Sequence, residues 1–374
     1  MRVKEILREA EHPKVGRALQ HAEDKIIVDG SQGALDALDE LESMATNVGD
    51  VTVKWDGSPA IYFGRNEQGQ FVLTDGSGFA AKGYDGKVTS ASALQNMFLS
   101  RGKEAPDDAR KAFAGKMGGL WDRFESIVDP AFRGYLKGDL LYYDTPPLDK
   151  QGNYTFTPNT VTYHIPKEST FGLKIANSTT GVVIHSHTTL DGVTQNIKGS
   201  VKGIKADGPV MIQGPMGINH LPTIDLDKIT AVRNYVTKHA VEVDTLLDDA
   251  KLAAEKVSDF KNILYTFVNQ QVDTGDLTNL NSKFDNWLAN SKTTGVKQVK
   301  IQEYRQHHAA AFVAIFNIIE QVMNVKDSII DQLDQNTNVG ASINGKRGGE
   351  GYVKGAMKLV PRLHFSQANR AKVR

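Results

Sequence analysis

A lysine in an apolar strand pattern carries the clearest chemistry in the sequence. In the string VTVKWDGSPAIYF, Lys54 stands among Val51, Val53 and Ile61. Such surroundings desolvate an ammonium, depress its pKa from about 10.4 and make a neutral, nucleophilic amine accessible. The Asp56-Gly57 pair beside it predicts a tight turn that lets a ligand approach the backbone closely. The same string also describes an edge-strand lysine next to a turn, so by itself it leaves both readings open. Trp55 reads as a core residue on the opposite strand face.

Other chemistry-bearing residues form less complete patterns. His185 and His187 straddle Ser186 and so share a strand face, as two metal ligands could; no third ligand accompanies them, and satisfied polar residues are the preferred reading. His307-His308 opens a helix and points to different sides, a structural pattern. GSGFAAKG lacks the spacing of a phosphate-cradling P-loop. The chain has no cysteine, which excludes disulfides, thiolate zinc sites and a cysteine nucleophile.

The elements that must position these residues are of two textures. Residues 1–46 read as helical, with Val3, Ile6 and Leu7, then Leu35, Leu38 and Leu41 entered from Ser31 as N-cap. From Asp50, alternating apolar and polar residues separated by Gly, Asn and Asp predict short antiparallel strands. Residues 89–128 look helical again. YLKGDLLYY, NYTFTPNTVTYHI, GLKIAN and GVVIHSHTTL return to strand texture through about residue 190. Residues 225–335 predict three or four helices, with Phe312, Ile315, Phe316, Ile319, Val322, Met323, Ile329, Ile330 and Leu333 on one helical face. A Gly-rich loop, NVGASINGKRGGEG, and a last strand, YVKGAMKLV, follow. The class is α+β.

Of the 374 residues, 44 are Lys or Arg and 44 Asp or Glu, so the formal net charge is zero. The charge is unevenly spread: residues 225–335 carry 12 basic and 16 acidic side chains, whereas 336–374 carry eight basic and Glu350 alone. A polybasic coat is excluded; a nucleic-acid enzyme with its positive charge gathered at its site is not. The N-terminus lacks an apolar signal core, and no run of about 18 apolar residues occurs, so a soluble cytoplasmic protein without membrane partners is expected.

Four further segments join Lys54 in a recognisable order. Lys54-Trp55-Asp56-Gly57 is followed by Gly138-Asp139-Leu140-Leu141, by TFTPNTVTYHI, by Glu350-Gly351-Tyr352-Val353 and by Met357-Lys358-Leu359-Val360. This order resembles the covalent nucleotidyltransferase superfamily of ATP-dependent DNA ligases, RNA ligases and capping enzymes, whose first motif is Lys-x-Asp-Gly. Asp139 stands where the family more often has Glu, and Val360 where many relatives carry a second lysine. The resemblance implies an ATP-grasp-like ligase adenylation domain of antiparallel sheets with helices, in two stretches, 1–224 and 336–374, around an inserted all-α subdomain at 225–335. It implies Lys54, Asp56 and Lys358 as catalytic residues. Lys54, Gly57, Asp139, Tyr163, Glu350 and Lys358 would bind ATP, with Tyr163 stacking on adenine. Glu350 and Asp139 would bind Mg²⁺, or Mn²⁺, and Lys82, Lys346, Arg347 and Arg362 would meet nucleic acid.

An amine attacking the α-phosphate of ATP needs the phosphate charge neutralised, best by a metal ion and a second, protonated lysine. Lys358 and Mg²⁺ would fill those roles. The resemblance thus implies a lysyl-AMP on Lys54, transfer of AMP to a 5′-phosphate end, and attack by a 3′-hydroxyl. The chain ends sixteen residues after Lys358, leaving no room for an OB-fold, and EGYV and the PNTV-x-Y strand look more like phage-type RNA ligases. RNA ligase is therefore the first reading. A DNA ligase sealing nicks, a non-catalytic nucleic-acid-binding protein on a ligase-like scaffold, and a guanylyltransferase are the competing ones.

Overall fold

In the computed structural model the described residues are 20–79, 88–102, 104–197, 200–206, 208–218, 220–335, 339–365 and 368. In chain order the strands are β1 (Gln20–His21), β2 (Val51–Val53), β3 (Ala60–Arg65), β4 (Phe71–Asp75), β5 (Gly134–Tyr142), β6 (Asn153–Phe156) and β7 (Thr162–Pro166). They continue as β8 (Thr180–Thr188), β9 (Thr194–Asn196), β10 (Val210–Gln213), β11 (Gly340–Ile343), β12 (Lys346–Arg347), β13 (Tyr352–Lys354) and β14 (Met357–Leu359). With its many helices the protein is α+β. Within the described residues it divides into two compact units: 55–216 with 339–349, and 20–54 with 217–335 and 350–365.

The first unit is built on a six-stranded sheet, ordered β10-β8-β5-β3-β4 with β9 paired to β8. Side chains alternate between its faces. Ile61, Phe63, Leu136, Leu140, Val182 and Ile184 fall on one of them and are buried under Leu94, Phe98, Met117, Trp121 and Phe124. Those last residues come from helices Ala91–Leu99, Asp108–Gly119 and Trp121–Ile127. The first is capped by Ser90, whose hydroxyl accepts from the Ala93 N–H. A second sheet, β12-β11-β7-β6, belongs to the same unit. There Trp55 packs its ring 4.8 Å from Tyr163 and 5.4 Å from Phe171, the core role expected of it.

Helix Thr170–Ala176 replaces a strand expected at GLKIAN. Ser169 caps it, accepting from the Gly172 N–H at 2.9 Å. This local cap outweighs the short β-like alternation.

The second unit joins a four-stranded sheet, β1-β14-β13-β2, to helices. Residues 226–335 form six helices where three or four were expected, because short turns split the apolar periodicity: Leu226–Leu247, Asp249–Ala254, Phe260–Thr274, Leu280–Asn290, Gly295–His307 and Ala309–Gln335. The last is long and apolar enough to cross a membrane by length and composition. Here its Phe312, Ile315, Phe316, Ile319 and Val322 are buried among helices. Helix Lys25–Ser43 shares that core through Ile26, Ile27, Ala37, Leu38 and Leu41. It kinks at Asp29-Gly30, Gly30 having φ +64°. The second half starts at Ser31 as expected, but with another residue capping it: Asp244 accepts from the Ser31 N–H and hydroxyl, both at 2.7 Å.

Candidate functional site

Strand register in the second unit decides which side chains meet. Tyr352 lies opposite Val53 and Leu359, and Val353 opposite Thr52 and Lys358. In the parallel β1–β14 pair, His21 lies opposite Lys358. Period two then sorts the sheet into two faces. Val51, Tyr352, Met357 and Leu359 are buried on the core face. Thr52, Val353, Lys358 and His21 form a half-exposed row across the other face.

Lys54 extends β2 by one residue, its N–H donating to the Gly351 carbonyl at 2.9 Å. It therefore shares the face of Thr52 and Lys358. Lys54 is thus not set among Val51 and Val53, as the apolar string suggested, because those two point to the opposite face. Its ammonium pairs with the Glu350 carboxylate; the side chains are 24% and 12% exposed. Gly351 permits this arrangement: with φ +117°, a Cβ there would lie 2.0 Å from the Leu359 carbonyl oxygen. Among the sequence-derived site residues, Lys54 and Lys358 thus share one sheet face, and Glu350, two residues before β13, joins them through its ion pair.

Asp56 has a different role from the catalytic one expected. Its carboxylate is 5% exposed. It accepts from the Thr160 N–H at 2.5 Å, the Val161 N–H at 2.9 Å and the Asn159 amide at 2.8 Å. It organises the turn before β7 and is a positioning residue. Its own N–H donates to the Tyr163 hydroxyl at 2.6 Å. Tyr163 in turn is 1% exposed, wedged between Trp55 and Phe156. A ring so buried offers no face to adenine, which corrects the expected stacking role.

Gly57 serves close packing, since a Cβ would fall 2.6 Å from Asp139 Cβ. Asp139, on the face of β5 away from the buried core of the first unit, bonds His185 Nε2 at 2.8 Å. This partner was illegible in the sequence. β5 and β8 slip register between Lys137 and Gly138, leaving His185 as the extra residue of a β-bulge. His187, opposite the core residue Leu136, stays on the other face, 5.5 Å from the Phe132 ring. The two histidines therefore do not share a face, and no metal pair forms.

Of the cations expected to meet nucleic acid, Lys82 lies outside the described residues. Lys346 and Arg347 form β12, exposed, in a hairpin whose Asn344-Gly345 turn has φ of 51° and 78°. That is a two-residue primed turn, for which Asn-Gly is the strongest sequence signal, inside the Gly-rich stretch expected to be a loop. Arg362 overturns its expectation. It is 3% exposed, and its Nη1 donates to Glu23 and Asp24, both at 2.9 Å, while Nη2 donates to Asn269 at 2.7 Å.

Arg362 belongs to a buried charge network that carries no local signature in the sequence. Lys326 Nζ, fully buried, donates to both Glu23 oxygens at 2.8 and 2.9 Å. Burial opposes ionisation of Glu23, but Lys326 and Arg362 outweigh it and hold the carboxyl well below its usual range. Burial raises Asp24 and pushes Asp327, beside Lys326, up to about 6. His21 is held well below its ordinary value by burial, then by Arg362, with Lys326 and Lys358 adding to this against Glu23.

Fold and site together define an α+β protein with an ion-paired lysine and a second lysine on one face of a small mixed sheet. The chain belongs to the family described as "Family of unknown function (DUF6267)", whose model matches residues 17–374. No curated protein matches it, and neither does any solved structure.

Proposed function

We propose that this protein is an ATP-dependent polynucleotide ligase with an adenylation domain of the covalent nucleotidyltransferase type, joining 5′-phosphate and 3′-hydroxyl ends, those of RNA in the first place. The observation that carries the reading is the shared sheet face of Lys54 and Lys358, with Glu350 paired to Lys54. In the reaction Lys54 Nζ attacks the α-phosphorus of ATP, a P–N bond forms, and pyrophosphate leaves with the electrons of the broken P–O bond. Lys358 stabilises the charge growing on the phosphate oxygens. AMP then passes to a 5′-phosphate, and a 3′-hydroxyl displaces it.

Among the described residues no group of three His, Asp or Glu could hold a metal. One carboxylate such as that of Glu350 suits Mg²⁺, which keeps several waters and takes much of its coordination from substrate phosphates. When bound, Mg²⁺ would neutralise phosphate charge. Glu350 is the residue that would hold it, and in doing so it would release Lys54.

The test is incubation with α-labelled ATP and Mg²⁺ or Mn²⁺, followed by denaturing electrophoresis. A labelled band is expected for the wild type and none for Lys54→Ala. No band with any nucleotide would overturn the reading. A panel of nicked DNA, nicked RNA and single-stranded ends then decides between RNA and DNA as substrate.

A further inference from the structure

The half-exposed row across the second unit's sheet runs beyond the lysines to a residue outside the motif pattern, His21. Neighbouring strands lie about 4.8 Å apart. Along this sheet the strand carrying Lys54 is therefore roughly 10 Å from that of Lys358, and His21 one strand further. The row is linear and runs through a cation, with the candidate nucleophile on the same face two residues along β2 from its Thr52 end. That is the layout needed by an extended polyanion attacked at one end.

His21 is built into this position. The residue is partly exposed, yet its Nδ1 is buried and, among the described residues, has no hydrogen-bond partner. Two and three residues on, Glu23 and Asp24 anchor the segment to Lys326 and Arg362. Arg362 is itself only four residues beyond Lys358, so one buried network fixes both sides of the β1–β14 pair. Glu23, Arg362, Lys326 and Lys358 are the charged groups that act on the imidazole. Ordering four buried charges beneath a two-residue strand is costly, and a mere edge strand does not require it.

We propose that His21 and Lys358 form the polyphosphate end of the nucleotide site, binding the β- and γ-phosphates that leave as pyrophosphate. This rests on the reading of Lys54 as the nucleophile. When Nζ bonds to the α-phosphorus, the bridging oxygen departs with its electron pair on pyrophosphate, and the proton lost from Nζ passes to solvent. A ring N–H of His21 donates to the departing group, and Lys358 balances its charge.

The experiment separates the two half-reactions. Lysyl-AMP formation from ATP releases pyrophosphate; sealing of a chemically pre-adenylylated 5′ end does not. For His21→Ala the first is expected to fall by about tenfold or more at sub-saturating ATP, the scale of a lost hydrogen bond to a charged group, with the second unchanged. His21→Gln, which keeps a side-chain N–H, should recover part of the loss. Equal losses in both half-reactions, or none in either, would overturn the inference. A separate arm uses inorganic pyrophosphate alone. It should raise the melting temperature of the wild type and of Lys54→Ala, and not that of His21→Ala. If the wild type forms no lysyl-AMP, the ligase reading fails, while this arm still decides whether His21 binds pyrophosphate.

Discussion

The Lys54 ammonium and the Glu350 carboxylate, 296 positions apart in the chain, form an ion pair on the solvent-facing side of the sheet that also carries Lys358. Both side chains retain some exposure, so the pair adds only about 1 kcal/mol or less to stability. In the proposed reaction its value lies in chemistry. Glu350→Gln keeps shape and hydrogen bonding but removes the charge that would hold a metal. Labelling of Lys54 by ATP is expected to drop by about 10²-fold or more with the melting temperature almost unmoved. A variant that labels at the wild-type rate would remove Glu350 from the site.

Asp56 gives the opposite pattern. Three donors converge on its buried carboxylate, and two are backbone N–H groups of the 159–161 turn. Asp56→Ala leaves them unpaired inside the first unit. A loss on the order of 3 kcal/mol is expected, read by chemical denaturation, with labelling of the fraction still folded retained in part. A fully stable but inactive variant would return Asp56 to the catalytic group.

How much of this was legible in sequence follows from what each residue depends on. Strands β2, β3, β7 and β8 and the long helices announce themselves by local periodicity. The face on which Lys54 lies does not, because a one-residue change of register reverses it; only the pairing of Tyr352 with Val53 fixes it. The Asp139–His185 bond depends on a bulge that no spacing encodes. Arg362 looked like one more cation in a basic tail, since burial of a charge depends on Glu23 and Asp24 more than 300 positions away. The Asn344-Gly345 hairpin, by contrast, carried a local signal that composition alone obscured.

The buried position of Arg362 can be checked directly. Phosphate contacts made by a cation appear in the salt dependence of binding, each adding roughly one unit to the slope. Arg362→Lys should leave the salt slope of RNA binding unchanged, whereas Lys346→Ala lowers it by about one if the exposed hairpin meets the strand. Glu23→Gln should instead destabilise the second unit by about 3–5 kcal/mol, because it strands the buried Lys326 charge. A changed salt slope in Arg362→Lys with unchanged stability would restore the nucleic-acid role.

Asp327 sets a pH dependence with a definite sign. Burial raises its carboxyl to about 6 from an ordinary value of 3.8, with Lys326 partly opposing the shift. Between those values the folded protein holds a proton that the unfolded chain has released. Stability from this group is therefore highest below about pH 4 and falls as pH rises through 6. Glu23, depressed in the same network, acts the other way: its contribution is present above its ordinary value of 4.5 and is lost on acidification. The two are separable because their windows differ. Asp327→Asn should flatten the decline between pH 4 and pH 6 and raise stability at pH 7 by up to about 3 kcal/mol. Denaturant midpoints at pH 4, 5, 6 and 7 for both proteins provide the measurement. Parallel curves would show that the Asp327 carboxyl titrates in the folded protein as it does in the unfolded chain.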